Sequence, residues 1–177
     1  DEQAADIVLK SLQRLEYRGY DSAGIATVSE GKLHLVRAVG KLANLTALLK
    51  DQTQPGKIGI GHTRWATHGG VTERNAHPHM AGDRVAIVHN GIIENYANLK
   101  DQLIAEGHHF KSDTHSEVLA HLFLQADKKE LTPEEAMKSV LGQINGAFAL
   151  AVLYAGKNEK LLVARQASPL AIGISED

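Results

Sequence analysis

Apolar residues recur at Ala4, Ile7, Val8, Leu12 and Leu15 with polar residues between them, a stripe at helical spacing. The pattern then stops at EYRGYDSAG (16–24), where Gly19 and Gly24 bracket a stretch whose composition predicts a loop. Residues 25–28 and 33–39 predict two strands joined by SEGK, a hairpin in which Gly31 supplies a positive φ. Leu42, Leu45, Leu48 and Leu49 predict a short helix, ended by QTQPGK. A strand at 57–62 runs into a histidine-rich loop, and a second apolar strand at 85–88 stops at His89-Asn90-Gly91. Helices follow over 95–106, with Gly107 as C-cap, and over 116–125, apolar at Val118, Leu119, Leu122 and Phe123. The sharpest local signal comes next: Thr132 as N-cap, Pro133 at the first helical position and Glu135 completing a capping box. Residues 147–154, 161–165 and 170–174 predict three closing strands. Strands that cluster in hairpins and at the end, without strict alternation with helices, predict an α+β fold with antiparallel sheets.

Composition alters this picture little. A chain of 177 residues with 43% hydrophobic and 23% charged residues is expected to form one domain with a sizeable core. The formal charge of -2 gives no electrostatic reason to expect nucleic acid or an anionic membrane as partner. No apolar run reaches the roughly 18 residues a membrane helix needs, and no leader-like segment opens the chain. The absence of cysteine excludes disulfides and thiolate metal sites, and fits a cytoplasmic location. A start at Asp1 and an end at ISED, just after an apolar run, suggest a piece of something longer.

The chemistry concentrates in GHTRWATHG (61–69) and VAIVHNGIIEN (85–95). Five of the ten histidines lie between His62 and His89, and His77-x-His79 sets two imidazoles on one side of an extended segment. A metal hydrolase is therefore one reading, but HExxH is absent and the nearby carboxylates follow no ligand spacing. Histidines that hydrogen-bond to backbone and shape a pocket are the better reading. Gly59-Ile60-Gly61 is no phosphate loop, because Arg64 stands where the third glycine would be. Arg64 can grip a carboxylate through two parallel hydrogen bonds, with Thr67 adding a third; an ordinary surface ion pair is the alternative. Trp65, the single tryptophan, either buries this loop or closes over a ligand. Asn90 and Gly91 offer an amide and a backbone N–H to a developing oxyanion, although Asn-Gly on its own favours a tight turn.

Taken together, LEYRGYDSAG, GHTRWATHG, NAHPH and HNGIIENY closely resemble the glutaminase domains of the glutamine–fructose-6-phosphate aminotransferase (glucosamine-6-phosphate synthase) family. The resemblance extends to the closing LLVARQASPLAIGI and so covers residues 1–177. It implies an N-terminal-nucleophile hydrolase fold, a four-layer αββα sandwich with two stacked antiparallel sheets. It also implies hydrolysis of the glutamine side-chain amide through a thioester, with ammonia passed to a C-terminal isomerase domain that aminates fructose 6-phosphate. Arg64 and Thr67 would bind the glutamine α-carboxylate, and Asn90 and Gly91 would form the oxyanion hole. Trp65 would gate the ammonia, His68 and His77 would line the pocket, and Arg18 would lie near the nucleophile. No metal or organic cofactor is implied, and the full-length protein is expected to be a homodimer.

Two departures qualify the resemblance. The family's nucleophile is an N-terminal cysteine opening a short strand, and this chain has none, so a missing segment is expected and the chain as given cannot form the thioester. In KSDTHSEV (111–118), His115 stands where the family pattern has an aspartate that would hold the substrate's α-ammonium group. Asp113 would replace it only if the loop shifted. Together these departures open an alternative: a non-catalytic amidotransferase-like module that binds or regulates.

Overall fold

The structure, a computed structural model, describes residues 3–66, 69–156 and 159–174. Strands β1 (Ser22–Ser29), β2 (Lys32–Val39) and β3 (Ile58–Arg64) form one antiparallel sheet in the order β2-β1-β3. Strands β4 (His79–Met80), β5 (Val85–Ile93), β6 (Gly146–Tyr154) and β7 (Lys160–Gln166) form a second antiparallel sheet in that order. Helices α1 (Ala4–Leu15) and α2 (Leu42–Asp51) cover the first sheet, and α3 (Tyr96–Ala105), α4 (Glu117–Lys128) and α5 (Pro133–Leu141) cover the second. The architecture is the expected αββα sandwich.

Strand parity assigns each side chain to a layer. On β1 the even positions Ala26 and Val28 face the second sheet, while Ala23 and Ile25 face α1 and α2. On β5 the even positions Ala86 and Val88 face the first sheet, while Val85, Ile87 and Ile93 face the helices. The layer between the sheets is thin in side chain, built on Ala26, Val28, Ile60, Ala86, Leu153 and Ala155. The largest buried residues, Phe123 of α4 and Phe148 of β6 among them, lie instead between the second sheet and its helices. Each such side chain stabilises the fold by about 1.5–3 kcal/mol through its burial.

Local signals hold where the chain itself supplies them. Thr132 Oγ1 accepts from the Glu135 N–H at 3.3 Å and Glu135 returns the bond to the Thr132 N–H at 2.9 Å. Glu30 and Gly31 both adopt positive φ in the β1–β2 hairpin. Three expectations need correction. Residues 22–24 are not a loop: β1 begins at Ser22, paired on both sides with β2 and β3, and Gly24 within it is a glycine because a Cβ there would stand 2.3 Å from the His77 carbonyl. His89-Asn90-Gly91 is not a turn: β5 continues through it to Ile93, paired throughout with β6. Residues 170–174 form no strand: no edge of either sheet pairs with them among the described residues, a single parallel bridge joins Ala167 to Phe148, and Ile172 and Ile174 end exposed.

Candidate active site

A cavity of about 370 Å³ opens at one end of the inter-sheet layer. His62 and Arg64 share the parity of Ile60 on β3 and so point into that layer. Asn90 shares the parity of Ala86 and Val88 on β5 and meets them from the other sheet. His62 Nε2 and Asn90 Oδ1 stand 2.8 Å apart. His89, of opposite parity, faces the helical layer, where its Nδ1 lies 2.8 Å from Ser116 Oγ.

Gly91 belongs to the same wall. The Glu94 N–H donates to Asn145 O at 2.8 Å and the Ala155 N–H to Arg84 O at 2.8 Å, which sets the phase of the β5–β6 ladder. Even-numbered β5 residues bond to β6, so the N–H and C=O of Gly91 point to the opposite edge. The short β4 pairs only with Ala86 and Ile87, and leaves that edge open to the cavity at Gly91. His115 Nε2–H donates to the Gly91 carbonyl at 3.2 Å, and the Gly91 N–H beside it faces the same space. The residue must be glycine: its φ is +124°, and a Cβ would stand 2.1 Å from the Ala147 carbonyl.

A column of imidazoles backs the cavity. The His77 ring lies 4.3 Å from His62 and 4.5 Å from His79, and His79 Nε2 is 3.0 Å from Thr114 Oγ1. Burial lowers the pKa of every member: His62 is lowered, His77 lowered well below the usual range, and His79 and His89 brought to about 3. The column is therefore neutral at pH 7. Both ring nitrogens of His77 are covered and find no hydrogen-bond partner among the described residues, so one imidazole N–H on the cavity wall is unmet. Among the described residues no three His, Asp or Glu side chains are arranged to hold a metal ion.

The rest of the lining is built with charge. Arg64 is buried, 3.5 Å from Asp21, and donates to the Gly69 and Gly70 carbonyls at 3.3 Å each. Asp21 also accepts from the Ala66 N–H and the Ser22 hydroxyl. Trp65 is exposed at the mouth, edge-on to Tyr20 with ring centroids 5.4 Å apart. The loop carrying Thr114, His115 and Ser116 is held by Glu117, whose carboxylate accepts from the Lys111 and Ser112 N–H groups at 2.8 and 2.6 Å. Burial alone would raise the Glu117 pKa, but these bonds and His121 outweigh it and hold it at about 2.

Of the sequence-derived candidates, Arg18, Arg64, Trp65, His77, Asn90, Gly91 and His115 all line the cavity. Thr67 and His68 lie outside the described residues. Asp113 does not line it: the side chain is half exposed and pairs with Arg74 at 2.9 Å. Motif spacing singles out neither Asp21, Thr114 and Ser116 nor the His62–Asn90 pair, whereas strand parity would have brought His62 and Asn90 together. Chemically, the site offers an amide and a backbone N–H to a developing oxyanion, beside an arginine and a set of neutral imidazoles.

Residues 62–176 match the family model described as a glutamine amidotransferase domain. Over 175 residues the chain is 51% identical to the isomerising glutamine–fructose-6-phosphate aminotransferase of Zymomonas mobilis, covering 99% of this chain and 29% of that protein. The enzyme of that name from Mesorhizobium japonicum is 53% identical over 171 residues, 97% of this chain and 28% of its own length. The chain thus spans less than a third of the curated relatives it matches. Among solved structures, the glutamine phosphoribosylpyrophosphate amidotransferase of B. subtilis, complexed with ADP and GMP, superposes with a TM-score of 0.76 at 29% identity, over 93% of this chain and 35% of that one.

Proposed function

The chain belongs to the glutamine amidotransferase domain family, and from that premise we propose that it is the glutaminase part of an isomerising glutamine–fructose-6-phosphate aminotransferase. The observation that carries the reading is the convergence of the Asn90 amide and the open-edge N–H of Gly91 on the cavity that Arg64 also lines. In this role a thiol adds to the glutamine side-chain amide carbon, and its carbonyl oxygen takes the negative charge. Asn90 and Gly91 donate to that oxygen, each worth about 3–4 kcal/mol to the transition state. Ammonia leaves past Trp65, and water cleaves the thioester to release glutamate. Arg64 and Thr67 hold the α-carboxylate, with Arg64 shared between the ligand and Asp21. His68, His77 and Arg18 complete the pocket.

The chain contains no cysteine, so the nucleophile comes from a cysteine-led strand outside these 177 residues, and the chain alone releases no glutamate. A C-terminal isomerase domain would receive the ammonia and aminate fructose 6-phosphate, in a cytoplasmic homodimer. Glutamate release by the full-length protein tests the reading: activity lost when the N-terminal cysteine becomes alanine supports it, and a folded protein that hydrolyses no glutamine refutes it. His115 adds a sharper expectation. An imidazole brings no negative charge to the ligand's α-ammonium group, so His115→Asp tightens glutamine binding about tenfold. Calorimetry showing unchanged affinity would remove His115 from that role.

A further inference from the structure

We propose that His62 is a positioning residue that fixes the orientation of the Asn90 amide, turning its Nδ2 hydrogens toward the reacting oxygen. This rests on the glutaminase reading of the cavity and adds a residue to it. A carboxamide is nearly symmetric in shape, and only its hydrogen-bond partners decide which end faces a ligand. With Oδ1 outward, Asn90 would present a lone pair to a developing oxyanion and oppose the reaction; with Nδ2 outward it stabilises the charge.

His62 makes that choice. Its Nε2 is the atom 2.8 Å from the Asn90 amide, and its Nδ1 is covered, with no hydrogen-bond partner among the described residues. In the Nε2–H tautomer the ring donates to Asn90 Oδ1 and leaves a bare lone pair at Nδ1. The Nδ1–H tautomer would instead accept from Nδ2 and bury an orphaned N–H, at a cost of about 1–3 kcal/mol. Buried orphan donors are rarer in folded proteins than under-satisfied acceptors. The Nε2–H tautomer therefore wins, and the amide turns its nitrogen outward.

The ring has little freedom to choose otherwise. It stacks on His77 at 4.3 Å, and its strand position is set opposite Gly24 in the β1–β3 register. Gly24 has no side chain to crowd it and admits the His77 carbonyl at close range. The low pKa that burial gives His62 keeps the ring a single-proton donor at neutral pH. Asn90 comes from the other sheet, so each sheet contributes one half of the device.

Two measurements test it. Nitrogen-15 NMR of the imidazole rings in this chain should find His62 as the Nε2–H tautomer at pH 7; an Nδ1–H tautomer would overturn the proposal whatever the enzyme does. In the full-length protein, His62→Phe keeps a flat ring against His77 but no donor, and should lower kcat for glutamine hydrolysis about 10²-fold with KM within about twofold. His62→Gln returns an N–H near the Nε2 position and should recover kcat to within about tenfold of the parent. Equal kcat in His62→Phe and the parent, or no recovery in His62→Gln when its circular dichroism and melting match the parent, would overturn the assignment. A parent protein that hydrolyses no glutamine refutes the glutaminase reading instead, and the tautomer still decides how Asn90 is oriented.

Discussion

The cavity is lined by a packed set and a charged set of groups, two walls built by opposite means although β3 carries members of both. His62, His77 and His89, backed by His79, form a neutral set held by ring packing and by contacts to Asn90, Thr114 and Ser116. Arg64 instead pairs with Asp21 and donates to the Gly69 and Gly70 carbonyls, and Asp21 also takes the Ala66 N–H. The first wall draws on steric packing and on the exclusion of water. The second draws on charge and on charge-assisted hydrogen bonds, which a carboxylate ligand can enter and share. On the proposed reading, the packed wall holds the oxyanion donor still and the charged wall takes the ligand's α-carboxylate.

The largest effect is expected from Gly91→Ala on the packed wall. The new Cβ would meet the Ala147 carbonyl at 2.1 Å on a backbone with φ of +124°, so the variant should lose about 3 kcal/mol or more in urea unfolding. A loss under 1 kcal/mol would mean that this wall yields, and the contrast would fail. Next comes Asp21→Ala on the charged wall, which removes the Arg64 pair and the Ala66 anchor together. We expect a loss of about 2 kcal/mol in the same assay, with the Gly91 amide resonance unmoved.

Acid acts on the packed wall alone. His79 and His89 have folded-state pKa values of about 3 against an unfolded 6.5, so between those limits the unfolded chain binds more protons. Stability is then full above pH 6.5 and falls as the pH drops toward about 3, with a slope of roughly 1.4 kcal/mol per pH unit for each histidine. His79→Phe should remove about one histidine's share of that slope in unfolding measured from pH 7 to 4. An unchanged slope would show that the column does not carry the acid sensitivity.

The sequence was most legible where a signal is local. The capping box at Thr132–Glu135 and the Glu30-Gly31 turn need only their own few residues, and both form. It misled where a distant partner overrides a local preference. Asn90-Gly91 looks like a turn until β6 pairs with it, and the apolar residues 170–174 look like a strand until no sheet edge takes them. The candidate site was legible through its motifs, because Arg64, His77, Asn90, Gly91 and His115 do converge. Their supports were not. The Asp21–Arg64 contact depends on the β1–β3 register and the His62–Asn90 contact on how the two sheets stack, and neither is written in local sequence.

An NMR titration of this chain with L-glutamine tests the cavity as a glutamine site most directly. Saturable shifts are expected at the amides of Asn90, Gly91 and His115 and at the Arg64 guanidinium, with D-glutamine producing far smaller ones. No shift at tens of millimolar ligand, or shifts confined to surfaces away from the cavity, would contradict it.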